Sequence, residues 1–107
     1  MNMIPIHKLP PDIEVEFKFN TIKTNTVESG YRPDHEIIKG FITTGVHTYY
    51  DSIEVKPGDT AIGTITFIDP EHYPKSMWIG REINICEGAR IVGIATVRKV
   101  LNPIMQA

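Results

Sequence analysis

Four histidines and one cysteine are the residues of this chain whose types could support metal binding or nucleophilic catalysis. They are His7, His35, His47, His72 and Cys86. No two histidines have a spacing that would bring them onto one helix face, and chain neighbours such as Asp34 and His35 point to opposite sides of an extended strand. The sequence therefore predicts no metal site, and it assigns the histidines solvated or structural roles.

Cys86 would need a nearby base to act as a nucleophile, and the sequence alone cannot place one. We favour the alternative interpretation, in which Cys86 is a small residue at the end of a strand. Gly88 and Gly93 do not form a phosphate-binding loop, because neither GxxxxGK[ST] nor GxGxxG precedes a helix. We therefore expect a protein that is not an enzyme, that carries no cofactor and that neither binds nor hydrolyses GTP.

Two groups of side chains have the chemistry of a nucleic-acid surface. Aromatic rings that could stack on bases, or instead fill the core and rim of a small barrel, are Tyr49, Tyr50, Tyr73 and Trp78. The best basic feature, which could bind phosphate or remain a solvated strand face, comprises Arg81, Arg90, Arg98 and Lys99. The formal net charge of -2 argues against a protein that coats nucleic acid by bulk charge.

A period of two dominates the stretches that would position these side chains. In IEVEFKF, residues 13–19, apolar and charged residues alternate as a half-buried strand requires. A second strand is predicted from His35 to Val46 with an irregularity at Gly40, and another from Thr60 to Ile68. The segment REINICEGARIVGIATVRKVL predicts two strands joined at Glu87-Gly88. No window shows helical periodicity.

Length and composition place these elements in one domain. The 107 residues can build a single hydrophobic core, and about six short strands separated by turns favour an all-β antiparallel barrel spanning residues 1–107. One cysteine cannot form an intramolecular disulfide, and no apolar run has the length of a signal or spanning segment. We therefore expect a cytoplasmic protein without a membrane partner.

Several motifs occur in the order and approximate spacing of one known domain. They are GYRP at 30–33, a β-rich segment ending in TTG, KPGD at 56–59, and INICEGARIVGIATVRKVL at 83–101. Over nearly its whole length the chain thereby resembles the C-terminal β-barrel, domain III, of translation elongation factor Tu. The resemblance implies a barrel closed by the last segment, with Gly93 where neighbouring backbone crowds. The GTPase domain of that factor has no counterpart in these residues.

In elongation factor Tu this barrel packs on the GTPase domain and contacts the T stem of aminoacyl-tRNA. By resemblance, the RNA-facing positions match Asp34, Thr44, Glu87 and Gly88. Asp34 stands where the family favours a neutral amide, and Cys86 replaces the usual basic residue. Both departures make the surface more negative, and phosphate contacts dominate affinity for nucleic acid. The resemblance, with these departures, favours a protein partner over tRNA.

Three functions remain open from the sequence. The first is a non-catalytic protein-binding module, acting as a mimic or regulator of the partners of a translation factor, or as an immunity-type protein. The second is a small RNA-binding module that contacts the tRNA T stem. The third, which we rank last, is a small enzyme that uses Cys86 or a histidine. Fold alone does not choose between them.

Overall fold

Six antiparallel strands close into a barrel in the computed structural model, which describes residues 9–22 and 25–107. The strands are β1 (Ile13–Phe19), β2 (Asp34–Ile38), β3 (Phe41–Tyr49), β4 (Thr60–Phe67), β5 (Glu82–Glu87) and β6 (Arg90–Val100). Around the barrel the order is β1, β4, β3, β2, β5, β6, and β6 pairs back onto β1. The prediction of an all-β antiparallel barrel is confirmed.

Alternation along β1 shows why this sequence closes a barrel. Ile13, Val15, Phe17 and Phe19 are fully or almost fully buried, while Glu16 and Lys18 are exposed. The buried residues that they contact come from all five of the other strands, so the inward residues of the six strands form one apolar cluster. Each large apolar side chain removed from water contributes roughly 1.5–3 kcal/mol, which makes this interior the main source of stability.

The region from His35 to Val46 is a hairpin, so the prediction of one interrupted strand was wrong. β2 ends at Ile38, the chain turns at Lys39 and Gly40, and β3 returns antiparallel from Phe41. Gly40 has a φ of 84°, a left-handed conformation that glycine adopts without steric cost. The interruption read as a bulge is therefore a turn.

Crowding at Gly93 is confirmed by the packing of β6 against β1. A Cβ atom at Gly93 would lie 2.7 Å from the Lys18 carbonyl oxygen and 3.2 Å from the Phe19 Cα. The crowding is more severe at Gly63 in β4, where a Cβ atom would overlap the Thr48 carbonyl oxygen. Both glycines allow neighbouring strands to approach closely, as barrel closure requires.

The barrel has two distinct ends. One end, which we call the hairpin end, carries the β2–β3 turn, the connection 68–81 and the C-terminal residues 101–107. There Met77 donates its backbone N–H to the Met105 carbonyl at 2.8 Å and accepts from Ala107 at 2.9 Å. The other end carries the β1–β2 and β3–β4 connections and the β5–β6 turn. In the described part of the chain, no helix is long and apolar enough to cross a membrane.

Candidate functional site

The positions matched to the tRNA-facing residues come together on the outer surface of the barrel. β2 lies between β3 and β5, and Asp34 pairs with Thr44 on one side and Cys86 on the other. The Asp34 carboxylate accepts a hydrogen bond from the Thr44 hydroxyl at 3.1 Å. Glu87 and Gly88 follow Cys86 directly, so all four positions lie within one region.

Glu87 is the anchored carboxylate of this region. The Tyr31 hydroxyl donates a hydrogen bond to Glu87 Oε2, and Arg90 Nη2 lies 3.9 Å from Glu87 Oε1. Burial, followed by the neighbouring Glu87, raises the pKa of Tyr31 far above its usual value. The Glu87–Arg90 pair is exposed enough for solvent to weaken it.

Four outward carboxylates give the sheet of β2 and β5 a negative surface. On β2, His35 and Ile37 point inward, so Asp34 and Glu36 point outward, and β5 alternates in the same way from Glu82 to Ile85. The pairing of β5 with β6 then shifts between Ile85 and Cys86, and Glu87 lies partly exposed at the end of the strand. We call this surface the acidic face; its carboxylates belong to Asp34, Glu36, Glu82 and Glu87. Within the described residues, the ion pair of this face is the 3.9 Å contact between Glu87 and Arg90.

Neutral donors fix the central carboxylate of the acidic face. Glu36 accepts a hydrogen bond from the Asn84 side chain at 3.4 Å and from the Gly40 backbone N–H at 3.3 Å. These donors orient the carboxylate without cancelling its charge. The acidic face is therefore ordered and negative, an arrangement that attracts cations and repels phosphate.

Cys86 lies beside these carboxylates and is buried. Burial raises the pKa of its thiol, and the negative charges of Glu36 and Asp34 raise it further. The thiol therefore stays protonated at neutral pH, whereas a nucleophilic cysteine requires the thiolate. This environment has the opposite character to that of a catalytic cysteine.

The basic residues considered from the sequence do not form one cluster. Arg81 donates to the carbonyl oxygens of Ser76 and Ile37, so its guanidinium is committed to the backbone of the hairpin end. Arg90 begins β6, whereas Arg98 and Lys99 lie near its end, a separation of about 26 Å at the usual rise of a strand. No single strip of positive charge results from these four side chains.

The aromatic residues are also divided. Tyr49 and Tyr73 are buried, while Tyr50 and Trp78 are about half exposed. Trp78 lies at the hairpin end, whereas Tyr50 follows β3 at the opposite end of the barrel. The structure does not bring the four rings together as a stacking platform for bases.

Exposed apolar side chains gather at the hairpin end, and sequence reasoning missed them. Ile38 and Phe41 are Cα partners across the β2–β3 turn, and Ile42 follows on β3. We call the group the apolar rim; its members are Ile38, Phe41, Ile42, Ile68, Trp78 and Ile79. The exposed fraction is 64% for Phe41 and 74% for Ile79.

Backbone and side-chain contacts connect the two halves of the apolar rim. Ile68 donates its backbone N–H to the Thr44 carbonyl at 3.1 Å, which places it beside β3 and diagonal to Ile42. Arg81 bonds to the Ile37 carbonyl, and its Cζ atom lies 5.1 Å from the centre of the Trp78 ring. The guanidinium thereby fixes the segment of Trp78 and Ile79 against the end of β2.

Two histidines that appeared scattered in the sequence meet inside the barrel. His35 and His47 are buried, and their Nε2 atoms lie 2.7 Å apart. Their separation of twelve residues places them on opposite strands of the hairpin, which the one-strand interpretation could not reveal. His72 is exposed beside Asp69, and His7 lies outside the described residues.

Among residues 9–22 and 25–107, no group of three His, Cys, Asp or Glu side chains could hold a metal ion.

No protein-family model matches this chain, and a search of the curated proteins finds no match.

Among the described residues, the features suited to recognition are the acidic face and the apolar rim, which share β2. Asp34 and Glu36 contribute to the first, and the exposed Ile38, two residues further along the strand, contributes to the second. Neither surface presents an activated nucleophile. The arrangement can bind a complementary surface by burying apolar side chains next to fixed negative charge.

Proposed function

We propose that this protein is a non-catalytic protein-binding module that docks through the apolar rim. The observation that carries the proposal is the group of six exposed large apolar side chains that forms the apolar rim at the hairpin end. Single exposed apolar residues are normal on soluble proteins, whereas a group of them at one place marks an interaction surface. The rim has that grouped character.

The composition of the rim suits a protein partner. Phe41 is 64% exposed and Trp78 is 49% exposed, and aromatic side chains that become buried supply much of the energy of protein interfaces. Burial of apolar surface contributes roughly 25 cal/mol per Å², so covering the rim would contribute several kcal/mol to association. The contacts of Arg81 hold Trp78 in place before binding, which limits the entropy lost on docking.

Charge supports a protein partner over the tRNA T stem. Asp34, which occupies one of the positions matched to the RNA surface of elongation factor Tu, carries a carboxylate that repels phosphate, and Cys86 stands where that family has a basic residue. The basic side chains of β6 are spread along the strand, and the guanidinium of Arg81 is bound to backbone carbonyls. These features favour protein binding and leave little positive surface for a nucleic-acid backbone.

The resemblance to domain III of elongation factor Tu indicates which partners to test first. In that factor the barrel packs on a GTPase domain, so this protein would act as a mimic or regulator by occupying a surface of a translation-factor partner. An immunity-type role, in which the rim covers a toxic partner, uses the same chemistry.

Capture from a native cytosolic extract tests the proposal when it is made with matched variants. The rim variant carries Phe41→Thr and Ile42→Thr, which keep the strand propensity of β3 while removing apolar area. The control variant carries Ile53→Thr, since Ile53 is 91% exposed in the β3–β4 connection, away from the hairpin end. Circular dichroism and thermal melting establish that both variants fold.

All captures are made in the presence of ribonuclease. We expect one protein to be retained by the wild type and by the control variant, and to be lost with the rim variant. Retention that is unaffected by the rim substitutions would contradict docking through the rim. Salt-resistant recovery of tRNA instead of protein would favour the RNA module.

A further inference from the structure

We propose that the partner presents a cationic and apolar segment, with apolar side chains on the rim and Lys or Arg side chains on the acidic face. This inference rests on the proposed function and specifies its partner. The geometry points to it because the two surfaces adjoin on β2: Asp34 and Glu36 lie in its outward row, and the exposed Ile38 follows across an irregularity in the pairing with β3. Outward neighbours in a regular strand are about 7 Å apart, and Ile38 ends the same five-residue strand, so one docked segment can reach both surfaces.

Across the described residues, the β2 carboxylates of the acidic face form hydrogen bonds with neutral groups instead of ion pairs. Asp34 accepts from the Thr44 hydroxyl, and Glu36 accepts from an amide and a backbone N–H. In the described part of the chain, no cationic side chain lies within ion-pair distance of Asp34, Glu36 or Glu82. Their charges are therefore available to a partner.

Neutral hydrogen bonds also fix the direction of this charge. The Asn84 amide and the Gly40 N–H hold Glu36 between β5 and the turn that carries the rim. A cation that approaches this carboxylate meets an ordered acceptor, and less side-chain entropy is lost than with a free carboxylate. The turn that orders Glu36 is the one that displays Phe41.

The partner is a polypeptide because the two surfaces demand different chemistry within one ligand. A nucleic acid supplies negative phosphates, which the carboxylates repel. A small cation binds the acidic face but leaves the rim exposed to water. Alternating or adjacent apolar and basic side chains on one segment satisfy both surfaces at once, and charge complementarity then speeds and orients the encounter.

Three fluorescein-labelled peptides of equal length test the inference by fluorescence polarisation. One alternates Leu and Lys, the second alternates Leu and Glu, and the third alternates Ser and Lys. We expect the Leu–Lys peptide to bind the wild type at least about tenfold more tightly than either of the others. Its affinity should fall as salt rises, because salt screens exposed charges.

Charge-matched variants separate the acidic face from net charge. The face variant carries Asp34→Asn, Glu36→Gln and Glu82→Gln, and it should bind the Leu–Lys peptide about tenfold more weakly than the wild type. The control variant carries Glu16→Gln, Glu28→Gln and Glu54→Gln, three exposed residues outside the face, and removes the same charge. It should change the affinity less than about twofold.

Equal loss in the two charge variants, equal binding of the Leu–Glu peptide, or no binding of the Leu–Lys peptide would overturn the inference. These outcomes are distinct from failure of the proposed function. A natural partner that is lost with Phe41→Thr and Ile42→Thr but retained by the face variant would leave protein binding in place and refute the cationic segment.

Discussion

The Nε2 atoms of His35 and His47 lie 2.7 Å apart inside the barrel, and the hydrogen bonds at either side assign the protons. His35 Nδ1 lies 3.2 Å from the Thr43 carbonyl oxygen, which can only accept, so His35 carries its proton on Nδ1. Its Nε2 must then accept from His47 Nε2–H. His47 Nδ1 in turn accepts from the Tyr49 hydroxyl at 2.9 Å.

This chain of hydrogen bonds predicts that acid destabilises the protein. Burial lowers the pKa of His35 to about 4, and burial together with His35 lowers the pKa of His47 well below its usual 6.5. The unfolded state then binds protons more readily, so stability is full above pH 6.5 and falls as the pH drops toward 4. At pH 5 the loss from His35 alone is about 2 kcal/mol.

Chemical denaturation across a pH series measures this loss. The variant His72→Asn is a control, because His72 is exposed, and it should show the same fall as the wild type. A free energy of unfolding that stays constant from pH 7.5 to 5 would mean that the two buried rings do not remain neutral in the fold.

The hydroxyl of Tyr49 provides a second prediction. Tyr49→Phe leaves His47 Nδ1 buried without a donor, which should cost about 1–3 kcal/mol in the free energy of unfolding. Tyr50→Phe is the matched control. It removes a hydroxyl that donates to Glu14 at 2.8 Å from a half-exposed ring, so the cost should be smaller. Urea denaturation of both variants makes the comparison, and equal costs would rule out a special role for the internal chain.

Barrel closure at Gly63 gives a third prediction. Gly63→Ala places a methyl group against the Thr48 carbonyl oxygen and within 3.0 Å of the Tyr49 Cα, so β3 and β4 must separate. The expected cost is about 3 kcal/mol or more, at the upper end of overpacking effects. Gly40→Asn is the control, since its surroundings are open and Asn tolerates left-handed backbone. If thermal melting shows the same small change in both, the close approach of β3 and β4 is not required.

The guanidinium of Arg81 gives a fourth prediction. Arg81→Lys cannot reach both the Ser76 and Ile37 carbonyls with a planar fork and stack on Trp78, so it should cost about 1–3 kcal/mol. Trp78 is the only tryptophan in the sequence, and its fluorescence therefore reports this contact directly. Arg98→Lys, at an exposed position of β6, should leave stability and emission unchanged. An unaltered emission spectrum in Arg81→Lys would show that the contact is dispensable.

Period-two patterning was enough to predict most of the barrel from the sequence. β1 and β4 follow their alternating or β-branched runs closely, and β5 and β6 are joined by a short turn as expected. The β2–β3 hairpin was missed because a single glycine in an apolar run is compatible with either a bulge or a turn. Its left-handed φ distinguishes the two.

The candidate site was harder to predict because it depends on pairing between strands. Phe41 and Ile42 lie in an apolar run that resembles a core strand, and their exposure follows from their place at the end of the hairpin. The His35–His47 contact required the register of β2 on β3. The sequence carried part of this information. Once the turn is placed at Gly40, alternation along β2 and β3 points both histidines toward the interior.

The closed ring of strands restricts how any partner can be recognised. In the part of the chain that the structure describes, each of the six strands pairs with two neighbours, so this barrel offers a partner no free strand edge on which to extend the sheet. Recognition must then depend on side chains, which can be replaced one at a time without altering backbone pairing. Such a scaffold can acquire a new partner by substitutions on its surface while its interior remains unchanged.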